Sequence, residues 1–232
     1  MNAPLSLSLR ALARLLSYPD DALRANLDAL RQALHREGAI GRARRQELDA
    51  LVEHIARQDA LDAEADYVQL FDSGRRTSLY LFEHVHGDSR DRGPAMIDLA
   101  QTYEAAGLYL SEGEMPDHLP VVLEYASTQP PAAARAFLAE MAHILDTIHG
   151  ALARRRSPYA AALAALVELA GESVSAATPA ADTAAEPGVD EAWAEPAAFG
   201  GCDLQGQSRT GQPQPVHIVR AAARHAAPGA QP

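Results

Sequence analysis

The stretch LSLSLRALARLLSYPDDALRANLDALRQALHREG, residues 5–38, repeats leucine at spacings of three and four. Leu5, Leu9, Leu12 and Leu16 form one stripe; Leu23, Leu27, Leu30 and Leu34 form a second. That spacing gathers apolar side chains on one face of an α-helix, where a half-buried strand would need strict alternation. Tyr18-Pro19 separates the stripes, Asp20 supplies an N-cap for the second, and Gly38 with Gly41 ends it. The same period predicts a third helix around Leu48, Leu51 and Ile55, and a fourth with Leu61, Ala65, Val68 and Phe71 as its stripe. TSLYLFEHVH, residues 77–86, reads as a fifth, with Gly87 as its C′ residue. A sixth spans about Asp91 to Ala106, turning Met96, Ala100 and Tyr103 inward. Asp117 opens a seventh, carrying Leu119, Val122, Leu123 and Ala126. An eighth holds Phe137, Met141, Ile144 and Ile148, and a ninth holds Tyr159, Leu163, Leu166 and Ala170. With no strand alternation and no hairpin signal in residues 1–170, the expected fold is all-α, a single bundle of about eight to nine helices over residues 1–171.

Residues 172–232 have a different texture. Of these 61 residues, 29 are Ala, Pro or Gly and only eight are Val, Ile, Leu, Phe or Trp, too few to offset the ordering entropy of a packed segment. The expectation is a long flexible tail. Its island DEAWAEPAAFGGC at 190–202 holds Trp193, and reads equally as a docking motif or as a segment that folds back on its own domain.

Charge and composition narrow the function. All 20 basic residues are Arg, and the net charge is −11. Residues 59–140 carry five Arg against fifteen acids, whereas residues 1–58 carry nine Arg against seven. The acidic middle disfavours nucleic acid and suits a cationic partner, or serves as a solvated face. The lone Cys202 cannot form an internal disulfide or a cysteine metal set. The start lacks a basic leader, and the longest low-polarity run is about half the ~20 residues of a membrane span. A cytoplasmic protein is expected.

The stretch LYLFEHVHGDSRDRG, residues 79–93, concentrates candidate chemistry. On a helix His84 and His86 project about 200° apart, so they share no metal while the helix persists. A helix ending at Val85 would let His86 swing towards Glu83 or Asp88, so a metal-dependent helical enzyme centred on His84, His86 and Asp88 stands as the rival reading. No nucleophile elbow, phosphate loop or dinucleotide fingerprint is present. Peptide capture is the third reading. Tyr67 and Phe71 lie one turn apart, Tyr80 and Phe82 follow, and Asp117-His118 and Glu124-Tyr125 flank the next helix. Together they would build an aromatic groove with acidic edges, fit for an Arg- or Lys-bearing amphipathic helix. The alternative is that the aromatics are core and the acids are caps.

DYVQLFDSGRRTSLYLFEHVHGDSRDRGPAMIDLAQTY, residues 66–103, followed by LPVVLEYAS, residues 119–127, resembles the nitrate reductase molybdenum cofactor assembly chaperones, the delta-subunit or NarJ type, within the redox-enzyme maturation chaperone class. The tail island DEAWAEPAAFGG is similar to a segment that many of them carry. The resemblance implies an all-α, non-catalytic protein. Its partner would be the immature catalytic (alpha) subunit of respiratory nitrate reductase, held by its N-terminal segment. The chaperone would permit insertion of molybdenum cofactor as bis-molybdopterin guanine dinucleotide, keep no cofactor itself, and stay out of the finished enzyme. A paralogue serving a different molybdoenzyme is the nearest alternative. Asp117-His118 match the class's peptide-binding Asp-His pair, and the block from Glu83 to Gly93 matches its signature. The expected partner-binding residues are therefore Tyr67, Phe71, Glu83, His84, His86, Asp88, Arg90, Asp91, Arg92, Asp117, His118, Glu124 and Tyr125, with none assigned to catalysis or to a metal.

Overall fold

A computed structural model of the chain describes residues 4–87 and 89–175. These residues form α1 (Ser6–Leu15), α2 (Asp21–Ala25), α3 (Leu27–Glu37), α4 (Arg42–Arg57), α5 (Ala60–Phe71), α6 (Leu81–Val85), α7 (Arg92–Ala105), α8 (Leu119–Thr128), α9 (Pro131–Glu140), α10 (Ala142–Arg154) and α11 (Ala160–Ala170). Among the described residues the only β-type pairing is an isolated antiparallel bridge between Tyr80 and His118. The fold is all-α, as the spacing predicts. No described helix is long and apolar enough to cross a membrane. The tail island at 190–202 lies outside the described residues.

Two expected helices are each split in two. The second breaks at Asn26, whose φ of −108° and ψ of 7° leave the helical region, and whose Nδ2 donates to Ala22 O at 2.7 Å. An Asn side chain that bonds the backbone locally competes with the helical ladder. The eighth breaks at Met141 in the same way, with φ −103° and ψ 3°. Both breaks leave the apolar face in register, so leucine spacing alone runs through them.

Helix ends are closed by residues from elsewhere in the chain. α1 has no side-chain cap of its own. Instead Glu37, the last residue of α3, accepts from Leu7 N at 3.1 Å and Ser8 N at 2.7 Å. Asp20 caps α2 through Leu23 N at 2.7 Å, as expected. Arg24 donates to Ile55 O and Gln58 O, both at 2.8 Å, and so satisfies carbonyls at the end of α4. Gly171 follows α11 with φ +92°, a conformation that costs glycine little and any other residue more.

The core is built around α11. Its sequence AAALAALVELA is apolar nearly all round, and Ala161 through Val167 and Leu169 are buried, as a central helix requires. It packs on α10, α9 and α4, while α1 packs on α8 and α3. Leu9, Leu12, Leu48, Leu123, Leu145 and Leu163 are fully buried within this one cluster. α7 differs: Tyr103 is its only buried residue.

Candidate functional site

The starts of α6 and α8 are zipped together. Leu81 N donates to Asp117 O at 3.0 Å, and Leu119 N donates to Leu79 O at 2.8 Å, on either side of the Tyr80–His118 bridge. Asp117 is fully buried, and its Oδ2 accepts from Phe82 N at 3.1 Å. The sequence reading makes Asp117 open the helix that follows it. The structure instead spends its carboxylate on the first turn of α6, and α8 starts at His118 without a side-chain cap. Asp117 Oδ1 has no hydrogen-bond partner among the described residues. Burial pushes the Asp117 carboxyl above its usual range, and the Phe82 N–H and the Arg92 charge only partly offset that.

Tyr80 and His118 stack face to face, with centroids 5.0 Å apart and planes at 28°. Burial lowers the His118 pKa, and nearby Glu114 works the other way. The Tyr80 hydroxyl is raised by burial and then by the carboxylates of Asp72, Asp117 and Glu83. Asp72 is itself raised by partial burial and by Glu83. Three carboxylates thus bear on one tyrosine at the base of α6, and Arg92 reaches Glu83 at 3.7 Å from the start of α7. This polar knot ties the starts of α6 and α8 by hydrogen bonds and reaches the start of α7 through one ion pair.

In the rest of the signature block the two histidines are half-buried, and residues 89–91 are exposed. His84 Nε2 lies 2.9 Å from Ser78 O, which folds its ring back on the preceding loop. His86 sets its ring edge-on to Phe82 at 5.3 Å. The two histidines therefore have separate partners. Among the described residues no three of His, Cys, Asp and Glu gather as a metal-binding group, and Asp88 lies outside those residues. Gly87 has φ +52°, which lets the chain leave α6. Ser89 and Asp91 hold each other through Oγ to Oδ2 at 3.1 Å and Asp91 N to Ser89 Oγ at 3.2 Å, and Arg90 is exposed beside them. The expected fifth helix is shorter than TSLYLFEHVH. Thr77 Oγ1 bonds Leu70 O, Ser78 Oγ accepts from Tyr80 N, and Tyr80 pairs with His118, so residues 77–80 stay outside the helix.

Tyr67 and Phe71 are core, not groove wall. They are 5% and 2% exposed, pack on each other at 4.8 Å and on Tyr159, and Tyr67 donates its hydroxyl to Leu16 O at 2.9 Å. Burial pushes the Tyr67 hydroxyl far up. Of the predicted α5 stripe only Phe71 enters the core; Leu61, Ala65 and Val68 face outward. Ala63, Tyr67 and Phe71 are buried, while Leu61 is 74% and Val68 41% exposed. Tyr125 packs between Tyr103 at 4.9 Å and Phe137 at 5.2 Å, and the neighbouring Glu124 is exposed. Asp72 is the residue that sequence reasoning missed. It lies directly after Phe71, and only the fold brings it to Tyr80.

The nitrate reductase delta subunit family model matches residues 20–165, the greater part of the helical domain. The chain is 40% identical over 186 residues to the nitrate reductase molybdenum cofactor assembly chaperone NarJ of Escherichia coli (strain K12), covering 80% of this chain and 77% of that one. It is 32% identical over 164 residues to a protein of Bacillus subtilis (strain 168) assigned the same NarJ name, covering 69% and 86%. A crystal structure assigned as a redox enzyme maturation protein of Archaeoglobus fulgidus superposes with a TM-score of 0.52 at 21% identity, over 74% of this chain and 97% of that one, a likeness of fold. On the length and the identity of these matches, the chain belongs to the nitrate reductase delta subunit family, the family of the NarJ-type proteins.

Proposed function

We propose that this protein is a maturation chaperone for a respiratory nitrate reductase. It captures the N-terminal segment of the immature catalytic (alpha) subunit in the cytoplasm. It releases that subunit once molybdenum cofactor, in the bis-molybdopterin guanine dinucleotide form, is in place, and it is absent from the finished enzyme. It performs no catalysis itself. The observation that carries this reading is the extent of the family match: residues 20–165 span α2 through α10 and the first half of α11, so the resemblance is to most of a domain and not to one motif. The surplus of carboxylates in residues 59–140 supports a cationic partner segment.

Within the site, the exposed Arg90, Asp91 and Glu124 and the partly buried His86 face the partner. Buried Asp117 and the inward-bonded His84 hold the surface in shape behind them. Isothermal titration of the full chain with the alpha-subunit N-terminal peptide tests the reading. A saturable signal at micromolar peptide is expected. No binding at high micromolar concentration by a folded chain would sink peptide capture, and tighter binding of another molybdoenzyme's peptide would reassign the client.

A further inference from the structure

We propose that the outer face of α5 seats a cationic amphipathic helix of the partner. This deepens the chaperone reading and rests on it. Leu61, Ala65 and Val68 stand at i, i+4 and i+7, a full helical stripe, yet they point away from the core that Tyr67 and Phe71 enter. Across from them Tyr18, 44% exposed, stands edge-on to Tyr67 at 5.7 Å. Its ring and the α5 stripe form the walls of a groove of about 440 Å³, completed by Glu64, Gln69 and Ser73. α5 is thus apolar on two faces, of which the fold covers one. An exposed apolar strip rimmed by polar groups marks an interaction site.

Charge identifies the occupant. From Asp59 to Gly74 the chain holds Asp59, Asp62, Glu64, Asp66 and Asp72 and no base. A helix laid along the groove therefore meets apolar contacts at its centre and carboxylates on its rims. That pattern accepts Leu- or Met-type anchors flanked by Lys or Arg. A second copy of this chain would bring the same five acids against themselves. The chain's own island at 190–202 has Trp193 and Phe199 as anchors, but also Asp190, Glu191 and Glu195 with no base. Both are electrostatically mismatched. At its Ser73 end the groove adjoins Asp72, the preceding residue in the chain, which adds one more carboxylate there.

The test titrates the alpha-subunit N-terminal peptide against the full wild-type chain and against the double variant Leu61→Gln, Val68→Gln. Circular dichroism and sedimentation are run on both. The variant should keep its helicity, because both side chains are exposed, and should bind about fivefold or more weakly, the loss of a contact worth over ~1 kcal/mol. Wild-type binding with a smaller change in the variant overturns this placement and leaves the chaperone reading intact. Absence of wild-type binding overturns both. Self-association of the wild-type chain that the double variant abolishes would give the face to a second copy and overturn the proposal. Should the pair lose helicity, Ala65→Gln, at an exposed position, is judged by the same fivefold criterion.

Discussion

Asp117 carries an ionisable group into full burial and uses it to hold a helix 35 residues earlier in the chain. Its raised pKa means that the folded protein binds this proton more tightly than the unfolded chain does. Its contribution to stability is therefore fully present below the usual carboxyl value of 3.8 and is lost as pH rises through the raised value. Asp117→Asn keeps an acceptor for Phe82 N and removes the charge. Urea unfolding across pH should show the wild-type advantage over Asp117→Asn shrinking as pH rises above the usual carboxyl value of 3.8; parallel curves would contradict a raised carboxyl. Asp117→Ala strands the Phe82 N–H and should cost roughly 1–3 kcal/mol at neutral pH. Peptide affinity of the folded Asp117→Asn protein should stay close to wild type, since the carboxylate faces inward. The sequence shows that Asp117-His118 sits at a helix start. It hides which helix the carboxylate serves, because local capping rules look three residues ahead and this bond spans thirty-five.

α5 shows what period reading resolves at the scale of an element. Its existence as one helix around Leu61, Ala65, Val68 and Phe71 follows from the sequence; its Asp59 cap to Leu61 N at 3.0 Å is seen only in the fold. Which of its apolar faces is covered does not follow from the sequence, because both faces have helical spacing. The choice is made by Leu16 O, which receives the Tyr67 hydroxyl, and by Tyr159, which receives the Phe71 ring. Truncating the two faces should give opposite results in thermal or urea unfolding. Phe71→Ala leaves a cavity and should cost about 3–5 kcal/mol, whereas Leu61→Ala should fall within about 0.5 kcal/mol of wild type. Comparable losses at the two sites would mean that the outer face is already covered by the chain itself. The breaks at Asn26 and Met141 are invisible for a related reason: each bends the backbone without moving a leucine off its face.

At the scale of the whole molecule, the helical class and the central AAALAALVELA helix follow from composition and spacing, whereas the family follows from a long signature that general physics does not decode. Charge joins the two. With five Arg against fifteen acids in residues 59–140, binding of the alpha-subunit peptide should weaken several-fold between about 50 and 300 mM salt as screening shortens the reach of these charges. A salt-independent constant, measured by the same titration, would make the acidic middle a solvating face only. The Tyr80–His118 bridge has a further architectural consequence. It pins both ends of the chain that runs through α6 and α7, so this excursion is a closed loop whose base is fixed by hydrogen bonds and whose one buried helical anchor beyond α6 is Tyr103. Between Gly107 and Gly113 the loop turns through mostly exposed residues, among them Tyr109 at 79% exposure, with Leu108 and Leu110 half-buried. Lengthening a loop that is already closed costs little, about 0.6 kcal/mol for each doubling. That turn is therefore a natural port for an inserted tag or domain, one that leaves the knot and the α5 groove untouched.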